Sequence, residues 1–148
     1  MRSTASLLLG TLLAPLSSAA AAEGPCDIYD AAPEGTPCVA AHSTVRALYG
    51  SYHGPLYQLR RASDNTTLDI VTLSPGGYAD SASQDKFCGA SACHIWKIFD
   101  QSPKMNHLDI APPGGAHREE DAPVNATKES LMVGGHKVYA AFFEGGMG

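Results

Sequence analysis

Positive charge is scarce in this chain. Lys and Arg number 10 against 15 Asp and Glu, giving a formal net charge of −5, and no basic patch occurs. The electrostatic footprint that nucleic-acid binding needs is therefore missing. Acidity of this degree suits solubility and identifies no partner. Metal-ligand spacing is missing as well. No Cys-x-x-Cys occurs, and none of the 6 histidines has another four residues away. That speaks against a zinc ribbon, knuckle or helical His pair. No Gly-x-Ser-x-Gly elbow is present, which removes the usual setting of a Ser/His/Asp site. Beyond the N-terminus there is no long apolar run. Leu7 to Leu16 is too short for the ~30 Å hydrocarbon core, which takes ~20 residues. Aromatic residues are few, with Trp96 the single tryptophan. Tyr49, Tyr52, Tyr57, Tyr78 and Trp96 could stack on sugar rings, but core packing is the default role for each.

What is present begins with a leader. Met1-Arg2 is followed by an apolar stretch and by the small residues Ser17 to Ala22. Those are the three parts of a secretory signal peptide, with cleavage expected after Ala22 or a neighbour. Removing residues 1–22 takes away only Arg2, so Lys and Arg fall from 10 to 9 against 15 acids, a net charge of −6. Residues 23–148 suffice for one domain of modest size. Four cysteines lie in this portion: Cys26, Cys38, Cys88 and Cys93. An even number in an exported chain points to disulfides. Of the three possible pairings, the local one, Cys26–Cys38 with Cys88–Cys93, is preferred. Oxidised cysteines are unavailable for Cys/His catalysis. Two sequons, Asn65-Thr66-Thr67 and Asn125-Ala126-Thr127, are candidate glycosylation sites on surface loops.

Residues 23–38 show little periodicity and read as a segment held by a staple. From Val39 to Tyr49, Ala41, Val45 and Tyr49 recur at four-residue spacing, which predicts a short helix ending before Gly50. Leu56 to Arg61 and Thr67 to Leu73 alternate apolar and polar around the turn residues Ala62 to Asn65, which predicts an antiparallel pair. Ala79 to Phe87 is a second candidate helix. His94 to Phe99 is apolar on both faces, Ile95 siding with Lys97 and Phe99, and Trp96 with Ile98. It reads as a strand inside a two-layer structure. Asp100-Gln101-Ser102-Pro103 ends it, Asn106-His107 follows, and Ala111 to Gly115 forms a rigid exit. Such a polar strand end is a common place for a site. Residues 112–129 read as polar loop, with His117 to Asp121 solvated. Leu131 to Val133 and Lys137 to Phe143 read as a hairpin turning at Gly134-Gly135.

Glycan hydrolysis would need two carboxyl groups flanking the scissile bond. Asp80, Asp85, Asp100, Asp109 and Glu144 stand near predicted element ends, yet no two form a pair by spacing. Turn and capping roles are the ordinary use of such residues. The residues alone thus describe a secreted, disulfide-stapled, mostly β domain without an identifiable catalytic residue, cofactor or metal.

Longer motifs add to this. Gly24-Pro-Cys-Asp-Ile-Tyr29, Thr36-Pro-Cys-Val-Ala-Ala-His-Ser-Thr-Val-Arg-Ala-Leu-Tyr49 and Gly54-Pro-Leu-Tyr-Gln-Leu-Arg-Arg-Ala-Ser-Asp64 stand in order. Gly76 to Asp80, Gln84 to Cys88, Phe99 to Ser102, Asn106 to Leu108, Ala111 to Gly115 and Lys137 to Gly148 continue the series. Together they resemble the start of the fungal α-L-arabinofuranosidase B catalytic domain, glycoside hydrolase family 54, over nearly all of residues 23–148. The resemblance implies an all-β, concanavalin-like or jelly-roll β-sandwich with one or two short helices. It implies a retaining hydrolase that removes terminal arabinofuranosyl groups from arabinoxylan and arabinan, and local disulfides matching Cys26–Cys38 and Cys88–Cys93. Its partner would be arabinose-containing plant cell-wall polysaccharide, met outside the cell by a monomer, with no nucleic acid or membrane involved.

The family's nucleophile is a Glu in a Met-Glu-Asn-like strand, and its acid/base is an Asp in a Gly-Gly-Asp-Asn-like loop. Neither motif occurs here, nor does its vicinal cysteine pair or its arabinose-binding β-trefoil, so no catalytic residue carries over. Pro103-Lys104-Met105 also stands where the family tends to be Gly-rich, so the local turn is expected to differ. The strand count, about five, falls short of a sandwich. A fresh apolar strand also precedes Glu144 to Gly148. The expectation is the front part of a longer domain, inactive by itself. The alternative is a non-catalytic glycan-binding sandwich or a non-functional fragment.

Overall fold

The computed structural model describes residues 23–114 and 118–148. The expected leader over residues 1–22, with Gly115 of the exit and His117 of the acidic loop, lies outside the described residues. The chain runs α1 (Pro25–Asp30), β1 (Pro55–Arg61), β2 (Thr67–Val71), α2 (Ser81–Cys88), β3 (Cys93–Ile98), β4 (Leu108–Asp109), β5 (Glu129–Val133) and β6 (His136–Ala140). Four strands form an antiparallel sheet in the order β2-β1-β3-β4, and β5 pairs with β6 in a separate hairpin.

Alternation explains β1 and β2, which pair Leu59 with Leu68 and Gln58 with Asp69. An irregularity between Pro55 and Tyr57 turns two successive side chains, Leu56 and Tyr57, into the core. The β1–β3 register also shifts, with Gln58 opposite Lys97 and Leu59 opposite Ile95. Trp96 is left without a partner, so the strict two-face alternation expected for this strand is interrupted there. β2 stops at Val71, short of the predicted Leu73. Thr72 bridges to Ala79 instead, and Leu73 is exposed. Behind the sheet, Leu56, Tyr57, Leu59, Ile70, Cys93 and Ile95 form the centre of the core.

α2 begins as capping chemistry dictates. The Asp80 carboxylate accepts from the Ser83 amide at 3.0 Å, and the helix ends at Gly89 with φ +54°. Its buried Gln84 accepts from the Tyr57 hydroxyl at 2.5 Å and donates to the Ala126 carbonyl at 2.8 Å. Burial pushes the Tyr57 phenol up, helped by Tyr139, Asp85 and Asp80. In the β5–β6 hairpin Val133 pairs with His136 across Gly134 and Gly135, whose φ values are +57° and +81°. Two positive φ angles are what a two-residue hairpin turn needs. The hairpin is shorter at its far end than expected. β5 has nothing left to pair beyond Ala140, and Phe142 and Phe143 are exposed.

Two sequence expectations fail. Residues 39–49 form no helix. Their backbone groups bond to distant partners instead of to neighbours four residues back. The Ala41 amide donates to Asp100, Ala47 to the Gly77 carbonyl, Leu48 to the Gln101 side chain, and the Val45 carbonyl accepts from Ala79. The polar loop expected over 112–129 also contains core. Val124 and Ala126 are buried, and this stretch lies along β3 through Ile95 N to Val124 O and Ala126 N to Cys93 O, both 2.9 Å. α1 is an element the periodicity missed. It is short, with Pro25 in its first turn, and the Asp27 carboxylate accepts from the Gly24 amide at 2.8 Å. Both local disulfides, Cys26–Cys38 and Cys88–Cys93, are formed.

Candidate functional site

The polar end of β3 is built on Asp100, which is only 4% exposed. One carboxylate oxygen accepts from the Ala41 amide at 2.7 Å and the Ser102 amide at 2.8 Å. The other accepts from the Ser102 hydroxyl at 2.7 Å and the Asn106 amide at 2.8 Å. Burial alone would raise its pKa. The bonds from Ser102, Ala41 and Asn106 outweigh that and hold it at about 2. An ionised carboxylate with four donors on it has neither a proton to give nor a lone pair directed at a substrate. The Asp100 amide donates to His107 Nδ1 at 3.0 Å, so this imidazole nitrogen carries no proton. Beside it, Gln101 accepts from the Leu48 amide at 2.7 Å, and His42 Nε2 donates to the Asn106 carbonyl at 2.7 Å. The Pro103 to Met105 turn places Met105 at φ +54°. A glycine would take that conformation without steric cost.

Above this cluster opens a groove of about 790 Å³, lined among others by Asp30, Tyr49, Tyr52, His53, Phe99 and His107. Tyr52 donates to the Pro55 carbonyl at 2.6 Å, and His53 Nδ1 lies 2.9 Å from the Thr72 hydroxyl. Burial raises the Tyr49 phenol, with the charges of Asp30, Asp100 and Asp27 adding to it, and burial with Asp100 raises Tyr52. Both remain protonated, as donors beside aromatic faces. Asp30 is exposed at the groove without a bonding partner among the described residues. One carboxylate with tyrosine and histidine neighbours can bind a polyol. It cannot supply the acid and nucleophile of glycoside cleavage, which sit ~5 Å apart in retaining enzymes.

The other carboxylates named from the sequence are dispersed and occupied. Asp80 caps α2. Asp85 accepts from Lys137 at 2.8 Å and Tyr139 at 2.5 Å, and although burial works against its charge these bonds hold it below the usual carboxylate range. Asp109 pairs with Lys97 at 3.1 Å, and Glu144 pairs with Lys128. Of the aromatic candidates, only Tyr49 and Tyr52 reach the groove. Tyr57 is core, Tyr78 stacks on His136 at 4.5 Å, and Trp96 lies under the Arg60 guanidinium at 4.2 Å. Among the described residues no three His, Cys, Asp or Glu side chains form a metal cluster, and no helix is long and apolar enough to cross a membrane. Asp30 and His53 were not singled out from the sequence. Only the fold brings residue 30, residues 49–55 and residues 99–107 together.

The family model described as "Alpha-L-arabinofuranosidase B, catalytic" matches residues 25–148. A probable alpha-L-arabinofuranosidase B of Aspergillus fumigatus is 52% identical over 129 residues, covering 84% of this chain and 25% of that relative. The alpha-L-arabinofuranosidase B of Emericella nidulans is 48% identical over 151 residues, covering 99% of this chain and 29% of that protein. A crystal structure of an arabinofuranosidase complexed with arabinofuranosyl-alpha-1,2-xylobiose superposes with a TM-score of 0.79 at 48% identity. The superposition covers 84% of this chain and 26% of that one. The chain thus spans about a quarter of the length of the relatives it matches.

Proposed function

Because the chain belongs to the alpha-L-arabinofuranosidase B catalytic family, we propose that it is the N-terminal part of a secreted, retaining glycoside hydrolase that removes terminal arabinofuranosyl groups from arabinoxylan and arabinan. The observation that carries this reading is the match across residues 25–148, together with a similar protein whose structure holds an arabinofuranosyl-xylobiose. In this reading residues 1–22 are a cleaved leader. The mature protein acts outside the cell as a monomer on plant cell-wall polysaccharide, away from nucleic acid and membrane.

The share of the work assigned to these residues is structural. In this reading they supply a four-stranded sheet, two staples and a groove, while the acid and nucleophile belong to the part of the family's length this chain does not span. The dispersal of Asp80, Asp85, Asp100, Asp109 and Glu144 among caps and ion pairs supports that division.

A two-armed experiment tests it. Residues 23–148 alone, offered an aryl α-L-arabinofuranoside, should release no product. The Aspergillus fumigatus relative with its matching segment replaced by residues 25–148 of this chain should hydrolyse the same substrate. Turnover by the isolated residues would overturn the division of labour. A folded but inactive chimera would overturn the family activity for this chain.

A further inference from the structure

We propose that Asn65, at the tip of the β1–β2 turn, carries an N-linked glycan, and that Asn125 is unmodified in the folded protein. The inference goes beyond the hydrolase reading, and it rests on that reading only for export of the chain.

The whole sequon Asn65-Thr66-Thr67 is exposed. Asn65 has φ +58°, a left-handed conformation that asparagine tolerates better than most residues. Its turn is held from within. The Asn65 amide donates to the Arg61 carbonyl and the Arg61 amide to the Thr66 carbonyl, both at 2.9 Å. The Asp64 carboxylate accepts from the Thr66 hydroxyl at 2.7 Å and from the Arg61 guanidinium at 2.6 Å. Arg60 donates to the Asn65 side chain at 2.7 Å. A guanidinium only donates, so the amide oxygen faces Arg60 and the amide nitrogen faces away. That orientation suits the chemistry. Glycan transfer joins the side-chain nitrogen to C1 of the first N-acetylglucosamine and releases one N–H proton. The leaving group is the pyrophosphate of the polyisoprenoid oligosaccharide donor. The oxygen stays an acceptor throughout, so the bond from Arg60 survives modification.

Asn125 has the same three-residue motif in an opposite setting. It is half-buried between Val124, 4% exposed, and Ala126, 1% exposed. Its backbone lies opposite His94 of β3, and the flanking residues bond to Ile95 and Cys93. Its side-chain oxygen accepts from the Thr127 amide at 2.9 Å and the Thr127 hydroxyl at 3.1 Å. Attachment precedes folding, so the fold decides which occupied form reaches the native state. A glycan on Asn65 stays in solvent. One on Asn125 stands on a half-buried residue bridged to His94 of β3, where it has less room than at the exposed turn.

The test expresses the full chain in a yeast host, once with its own residues 1–22 and once behind the host's leader. Protein is recovered from both cells and medium. Asn65→Gln and Asn125→Gln variants run beside it, each with and without an amidase that removes N-glycans and converts the attachment asparagine to aspartate. The expected result is one glycan's shift, lost in Asn65→Gln, kept in Asn125→Gln, with conversion at residue 65 alone. A shift that survives Asn65→Gln, an unconverted residue 65 behind the host leader, or conversion at residue 125 in the secreted fraction overturns the proposal. If the host-leader form carries the glycan and the chain's own leader fails to export it, the export reading falls and the glycan site stands.

Discussion

Asp100 illustrates how a polar residue can look like a site and serve the fold. Its four donors come from three residues in two stretches: Ala41, and Ser102 with Asn106 in the loop after β3. Asp100→Asn turns one acceptor oxygen into a donor facing other donors. The expected loss at neutral pH is ~1–3 kcal/mol, the range for an unsatisfied buried polar group. The folded pKa of about 2 lies below the ordinary 3.8. The Asp100 contribution is therefore present in full above about pH 4 and lost as pH falls towards about pH 2. Urea unfolding followed by Trp96 fluorescence should show the gap between parent and variant closing over that interval. A gap that does not change with pH would falsify this role. The polar strand end was visible in the sequence as Asp100-Gln101-Ser102 with Asn106-His107. Its inward direction was not, because the donors on Ala41 and Leu48 are backbone groups that no side-chain pattern reports.

At the scale of elements, the β5–β6 hairpin allows a sharper comparison. Both turn glycines have positive φ, but a Cβ on Gly134 would strike the Tyr78 hydroxyl, whereas one on Gly135 meets nothing within 4 Å. Tyr78 in turn stacks on His136, with the Arg46 guanidinium 5.7 Å from its ring centre. Gly135→Ala should cost the ~1–2 kcal/mol of a left-handed L-residue. Gly134→Ala should cost ~1–3 kcal/mol more, the range for forced repacking. Denaturation midpoints measure this, and equal losses would show that Tyr78 does not buttress the turn. The elements that were legible, β1, β2, α2 and this turn, are those whose cause is local: alternation, a cap, two adjacent glycines. The helix expected over 39–49 had the right spacing in Ala41, Val45 and Tyr49. It lost to bonds with Asp100, Gly77 and Gln101, partners about thirty to sixty residues away. Tertiary context outweighs a weak helical preference of that kind. The groove was illegible for a related reason, since its walls come from three segments with no shared motif.

At the scale of the whole molecule, an apolar hollow stands open along β3 and β4. A hollow of about 210 Å³ is lined by Ile95, Trp96, Ile98, Leu108, Val124 and Phe143, among others. Leu108 is 49% exposed and Phe143 55% exposed. Exposed apolar surface of this sort binds amphiphilic dyes. Residues 23–148 should therefore enhance anilinonaphthalene sulfonate fluorescence at neutral pH, and a Leu108→Ser, Phe143→Ser double variant should lower the enhancement. An undiminished signal in a variant with unchanged circular dichroism would place the binding elsewhere.

The contact between Asp100 and Ala41 also sets a timetable. The two residues are 59 positions apart. At a synthesis rate of about 5–20 residues per second, Ala41 waits roughly 3–12 seconds for its acceptor to be made. Cys26 and Cys38 are only 12 positions apart. In an oxidising compartment the first staple can close while the strand that will anchor its neighbours is still being translated. The first staple therefore needs nothing made after Cys38, whereas the bonds that fix residue 41 wait until the chain has passed the end of β3.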